Sequence, residues 1–112
     1  MKIAVSSTGK DLESQVSQVF GRCPYFIIIE IEDKKIVKTE AMENTSAQQF
    51  SGAGISAAQM VVQSGAKAII TGNVGPKAYS VLKQFGVEIY KGSGTVKDVI
   101  QKFIEKQLEK IQ

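Results

Sequence analysis

The stretch from residue 67 to residue 86 constrains the fold more than any other part of this sequence. It begins with a short apolar run at residues 68–70, which is typical of a strand buried on both faces. A glycine turn follows, and Pro76 suits the first turn of a helix, where its missing N–H costs nothing. Gly86 can then end the helix with a left-handed cap. A strand, a turn and a helix in this order direct the free N–H groups of the helix start to the strand end, where an anion can bind.

Four further strands and two further helices are predicted around this unit. Apolar and β-branched runs predict strands at residues 2–6, 26–31, 36–42 and 87–90. A helix is predicted from the glycines at 52–54 to Gly65, and a short helical turn within residues 10–20. A capping box at Thr95 and Asp98 begins a last helix, whose apolar face continues to Ile111.

This order of elements predicts an α/β fold in one domain over residues 1–112. Sequential strands usually lie side by side, and parallel crossovers are right-handed. We therefore expect a five-stranded mixed sheet of order 3-2-1-4-5 with helices on both faces, a ribonuclease H-like arrangement.

The loops at one edge of this sheet form the predicted binding site. The first, third, fourth and fifth strands should run in the same direction, and open α/β sheets bind ligands beyond the carboxyl ends of their strands. We expect the glycine turn at 92–94 to share this edge, so that three helix starts meet there. The predicted ligand-binding residues are Ser6, Arg22, Cys23, Gly52, Gly54, Thr71, Gly72, Asn73 and Gly75.

The chain has one Cys and no His, which limits its chemistry. An internal disulfide is impossible, and His-based catalysis and His-ligated zinc are unavailable. The carboxylates are dispersed, so no two-metal nuclease site is expected and the chain is predicted not to be an enzyme. Cys23 has two interpretations: a small buried residue, or a thiolate tuned by Arg22 and the helix ends that serves as a ligand to a soft metal.

The charge pattern argues against nucleic-acid and membrane partners. The net charge is +3, but Lys and Arg are dispersed and form no basic run. The apolar part of the N-terminus is too short for a signal peptide, and no apolar run approaches the roughly 20 residues that span a bilayer. We therefore expect a cytoplasmic location.

Several motifs together resemble the dinitrogenase iron–molybdenum cofactor biosynthesis family, including its small single-domain members. They are residues 1–5, 20–26, 52–54, 70–76 and 94–96. The resemblance implies a ribonuclease H-like fold. It also implies a non-enzymatic carrier that transiently binds an iron–sulfur or iron–molybdenum cluster, or its precursor, in a process related to nitrogen fixation. It implies cluster-synthesis or acceptor proteins as partners. The family often has His where this chain has Val19, so no His ligand carries over.

Two functions remain open at this stage. One is a metallocluster carrier, in which Cys23→Ser should abolish or greatly weaken cluster uptake. The other is a regulatory or interaction module that binds a small anionic ligand or a protein partner. Either could be a monomer or a weak dimer.

Overall fold

The computed structural model describes residues 1–111, which form one mixed sheet and three helices. The elements in chain order are β1 (Lys2–Ser7), β2 (Tyr25–Glu32), β3 (Lys35–Glu43), α1 (Ala53–Gln63), β4 (Ala68–Thr71), α2 (Pro76–Gln84), β5 (Glu88–Lys91), α3 (Val96–Ile104) and β6 (Glu109–Ile111). None of these helices is long and apolar enough to cross a membrane.

The sheet has six strands in the order β3-β2-β1-β4-β5-β6. The predicted order of the first five strands is confirmed: β1, β4 and β5 are parallel, and β1, β2 and β3 form an antiparallel meander. The predicted number of five strands is wrong, because β6 pairs antiparallel with β5. The ribonuclease H-like assignment stays a prediction.

The sixth strand arises where the last helix was predicted to continue. The helix ends at Ile104, and Lys106 adopts a left-handed φ of 60°, which turns the chain back toward the sheet. Leu108 and Ile111 still pack against the core, so their spacing fitted a helical stripe although they lie beyond the helix. The helical turn predicted within residues 10–20 is also absent from the described chain, where that segment forms turns and two isolated bridges.

Helices cover both faces of the sheet, as predicted. Alternate residues of β1 point to opposite faces: Ala4 joins the cluster beneath α1 and α2, whereas Ile3 and Val5 join the cluster beneath α3. The side chains of these two clusters are mostly inaccessible to solvent. They hold α1 and α2 on one face, so that both helices begin near the carboxyl end of β4.

Candidate functional site

A groove of about 600 Å³ opens where α1 and α2 begin. We call it the α1–α2 groove. Its charged side chains are those of Arg22 and Lys77, and its lining includes no carboxylate. The lining residues are Val19, Phe20, Gly21, Arg22, Gly52, Ala53, Gly54, Ile55, Asn73, Gly75, Pro76, Lys77 and Ala78.

The start of α1 presents unpaired backbone donors to the groove. The preceding residue, Gly52, has a left-handed φ of 74° and no side chain that could cap the helix. The first helical hydrogen bond runs from the N–H of Ser56 to the carbonyl of Gly52, at 3.0 Å. The N–H groups of Ala53, Gly54 and Ile55 therefore have no acceptor within residues 1–111.

The start of α2 is uncapped in the same way. Gly75 precedes the helix with an extended backbone and no capping side chain, and Tyr79 donates the first helical hydrogen bond to its carbonyl at 2.9 Å. Pro76 has no N–H, so within the first turn of α2 the unpaired donors in the described chain belong to Lys77 and Ala78. Two neighbouring helix starts thus direct free N–H groups and the positive ends of their dipoles into one groove.

The start of α3 differs, because the protein itself satisfies its donors. They pair as follows: Val96 N–H with Ser14 O at 2.8 Å, Lys97 N–H with Leu12 O at 2.9 Å, and Asp98 N–H with the capping hydroxyl of Thr95 at 3.1 Å. The turn at 92–94 follows β5 at the predicted edge but does not line the groove. Of the three helix starts expected at this edge, those of α1 and α2 open into the groove.

Gly21 allows the 20–22 loop to sit directly on the first turn of α1. A Cβ atom at Gly21 would lie 2.9 Å from the Cα of Gly54 and 3.0 Å from its nitrogen. Since both contacts are with backbone, a larger residue would push the loop away from the helix start. The two glycines together allow this wall of the groove to form.

Arg22 fixes the loop that follows β3. Its guanidinium donates hydrogen bonds to the carbonyls of Ala47 and Gln49, both at 2.9 Å. The side chain remains exposed, so its positive charge is available at the rim of the groove.

Cys23 does not line the groove, because its side chain is fully buried. Burial raises the pKa of the thiol to about 11, despite opposing hydrogen bonds from the Ser7 backbone and the Asn44 side chain. The side-chain amide of Asn44 lies 3.9 Å from the sulfur and donates to the carbonyl of Cys23 at 2.8 Å. Burial and the raised pKa favour the buried-residue interpretation over a thiolate tuned by Arg22. The role of Cys23 as a metal ligand stays a prediction, which now requires the thiol to leave this environment.

Ser6 and Thr71 connect strands and do not line the groove. The hydroxyl oxygens of these buried residues lie 2.8 Å apart, and that of Ser6 also lies 3.1 Å from the carbonyl of Ser17. Gly72 is buried as well: its N–H donates to Ser17, and a Cβ there would lie 2.7 Å from the Cα of Gln18. These contacts join the ends of β1 and β4 to the 17–18 segment.

Five of the nine predicted site residues line the groove: Arg22, Gly52, Gly54, Asn73 and Gly75. Their role in binding stays a prediction. Eight lining residues are absent from the predicted set, among them Val19, Ala53 and Lys77. Ala53 and Lys77 could have been found as first-turn neighbours of the glycines, whereas Val19, which is 54% exposed, carries no binding signal of its own. Within residues 1–111, no group of three or more His, Cys, Asp or Glu could hold a metal ion.

Comparison with known proteins identifies relatives over almost the whole chain. The family model described as "Dinitrogenase iron-molybdenum cofactor" matches residues 1–106. An uncharacterized protein of Methanocaldococcus jannaschii is 42% identical over 100 residues, which is 88% of this chain and 85% of that protein.

Solved structures similar to this fold include two that align over almost the whole chain. The apo form of the orange protein from Desulfovibrio gigas has a TM-score of 0.91 and 33% identity, over 98% of this chain and 92% of that one. A putative NifB protein from Thermotoga has a TM-score of 0.82 and 38% identity, over 97% of this chain and 91% of that one.

Proposed function

Because this chain belongs to the dinitrogenase iron–molybdenum cofactor family, we propose that it carries an iron–sulfur or iron–molybdenum cluster, or a precursor of one, without catalysing a reaction. The proposed binding site is the α1–α2 groove. The observation that carries this proposal is the pair of uncapped helix starts that open into one groove whose charged side chains are both cationic.

The groove suits an anionic cargo that already contains its own sulfides. Backbone N–H groups can donate hydrogen bonds to such sulfides, and the protein need not supply a thiolate. Two exposed helix starts contribute about 0.6–2 kcal/mol to the binding of a nearby anion. Hydrogen bonds to a charged acceptor add about 1.5–3 kcal/mol each. These contributions give reversible binding, which a carrier needs if it is to release its cargo to an acceptor protein.

The volume of the groove is consistent with this role. At about 600 Å³ it lies within the range of small-ligand sites, which is roughly 300–1,000 Å³. Val19 and Phe20 add an apolar wall to the backbone donors. Val19 offers a bound ligand an apolar contact and no metal-binding atom.

Anaerobic reconstitution with iron and sulfide, followed by visible absorbance, tests the proposal. Lys77→Glu places a negative charge beside the free N–H groups of α2 and should strongly reduce uptake. Lys97→Glu is the matched control, because Lys97 is also the second residue of its helix but lies at the satisfied start of α3. That control should take up as much cluster as the parent, and circular dichroism checks that both variants fold.

Cys23→Ser distinguishes the backbone site from the sequence-based metal-ligand hypothesis. We expect this variant to retain cluster uptake, because the thiol is buried and protonated. Loss of uptake in a folded Cys23→Ser protein would instead support Cys23 as a ligand and would contradict a groove that needs no thiolate. Equal loss in Lys77→Glu and Lys97→Glu would show that general charge, rather than the groove, governs uptake.

A binding or regulatory module for a small anion is the second candidate. The observation that favours it is the absence of a thiol from the groove lining, which leaves donors suited to oxyanions. Binding of phosphate in the groove, together with no cluster uptake by the parent, would replace the carrier proposal with this one.

A further inference from the structure

Strand β3 is a long edge strand with an unpaired outer side. In the described sheet it pairs with β2 on one side and with no strand on the other. Eight of its nine residues are exposed, among them Ile36 at 39% and Val37 at 53%. An exposed edge of this length presents a row of N–H and C=O groups that another strand can pair with.

The sequence of β3 is complementary to itself when it is read antiparallel about Thr39. Each residue before Thr39 then faces the residue that lies equally far after Thr39 in the other copy. The two positions differ by an even number of residues, so their side chains lie on the same face of the sheet. The pairs are Lys35 with Glu43, Ile36 with Met42, Val37 with Ala41, Lys38 with Glu40, and Thr39 with its own copy. Each Lys–Glu pair occurs twice across a two-fold axis.

The neighbouring registers lack this complementarity. A two-fold axis at residue 38 would place Lys38 opposite its own copy, and an axis at residue 40 would place Glu40 opposite its own copy. Opposite charges directly across a strand pair stabilise it, whereas like charges destabilise it. The charges therefore select the register centred on Thr39.

We propose that β3 pairs antiparallel with β3 of a second copy of this chain. The interface is isologous, with one two-fold axis at Thr39, and it joins the two six-stranded sheets into a continuous sheet. Lysines on an edge strand usually discourage pairing. Here each Lys has a Glu at the mirrored position of the same strand, so the charges discourage other partners and favour an identical one.

This dimer is independent of the proposed carrier function. The residues that line the α1–α2 groove belong to the 19–22 loop, to α1 and its preceding glycine, and to the β4–α2 connection and α2. None of these lining residues belongs to β3. Association can therefore be measured on the protein without any cluster or anion.

Charge reversal tests the interface by sedimentation velocity from micromolar to millimolar protein concentration. We expect the parent to dimerise in this range, and Lys38→Glu and Glu40→Lys each to weaken its dimer at least about tenfold, because each places like charges opposite one another twice. A mixture of the two variants should dimerise again, since every Glu of one chain then faces a Lys of the other. Glu13→Lys, on an exposed residue outside β3, is the control and should leave dimerisation unchanged.

Cysteine cross-linking tests the register. Thr39→Cys places two thiols opposite each other at the axis, with Cβ atoms roughly 4.5–5.5 Å apart, close to disulfide distance. Val37→Cys, on the same face of the same strand, would be offset from its copy by four residues, or roughly 14 Å. Under mild oxidation the first variant should form a disulfide-linked dimer and the second should not.

Three results would overturn the proposal. The first is a parent that stays monomeric at millimolar concentration. The second is a parent dimer that both charge reversals leave intact, which would place the interface elsewhere. The third is equal cross-linking of the two cysteine variants, which would show that contact between the chains is not fixed in the register centred on Thr39.

Discussion

Gly75→Asp should make the protein more stable and its anion binding weaker, because the new side chain would compete for the donors of α2. Gly75 has φ −74° and ψ 166°, which any residue can adopt. A Cβ atom added there meets no heavy atom within 4 Å. The carboxylate can therefore accept hydrogen bonds from the N–H groups of Lys77 and Ala78, as an ordinary helix cap does.

The two effects can be estimated separately. Relative to glycine, the charged cap and the less flexible unfolded chain should raise the free energy of unfolding by about 0.5–1.5 kcal/mol. For a bound monoanion, the loss of one helix start removes about 0.3–1 kcal/mol. Repulsion between unit charges about 6 Å apart in a water-like medium adds about 0.7 kcal/mol. The dissociation constant should therefore rise roughly 5- to 20-fold.

Urea unfolding and phosphate titration, followed by the amide signal of Gly54, measure these two quantities. Gly75→Asn is the matched control: it caps the helix without a charge, so it should stabilise the protein while weakening phosphate binding only about 2- to 5-fold. A Gly75→Asp protein that is stabilised but binds phosphate as tightly as the parent would show that the α2 donors lie outside the site.

Three further predictions concern positions outside the groove lining. Between about pH 9 and pH 11, the free energy of unfolding of the parent should fall relative to that of Cys23→Ala by about 1.4 kcal/mol per pH unit, because only the unfolded chain releases the thiol proton in that range. Urea unfolding of both proteins at several pH values measures this difference, and a difference that does not change with pH would contradict it. Thr71→Val should lower the free energy of unfolding by about 1–2 kcal/mol, because it removes the buried hydrogen bond between the hydroxyls of Ser6 and Thr71, and it should not change phosphate affinity. Weaker phosphate binding by a folded variant would show that Thr71 belongs to the site. Lys106→Gly should raise the free energy of unfolding by about 0.5–1 kcal/mol, because glycine adopts the left-handed backbone of this position without strain. Calorimetry measures the change, and a lower free energy of unfolding would mean that the Lys106 side chain contributes packing.

The strand order could be predicted from sequence because apolar or β-branched residues mark each strand and clear turn residues separate them. The end of the last helix could not. Leu108 and Ile111 continue the helical spacing, yet they reach the core through a turn at Lys106 and a sixth strand. Hydrophobic periodicity shows only that these residues contact the core, and both a longer helix and a turn followed by a strand place them there.

The position of the groove was predictable, but the availability of its donors was not. Glycine turns indicated the edge of the sheet at which the groove lies, and five of the predicted residues line it. Whether the N–H groups of a helix start are free depends on contacts distant in sequence. Residues 12 and 14 supply carbonyl acceptors to α3, whereas no residue of the described chain supplies such acceptors to the first turns of α1 and α2. The burial of Cys23 likewise follows from packing against distant residues, which a motif does not reveal.

An amide map of the chain after anaerobic loading with iron and sulfide locates the bound cluster directly. Iron in the α1–α2 groove should broaden or shift the signals of the five free donors first: Ala53, Gly54, Ile55, Lys77 and Ala78. The signals of Val96, Lys97 and Asp98, whose donors are satisfied, should stay unchanged. Changes centred on the start of α3, changes spread evenly over the chain, or no change at all would contradict the account.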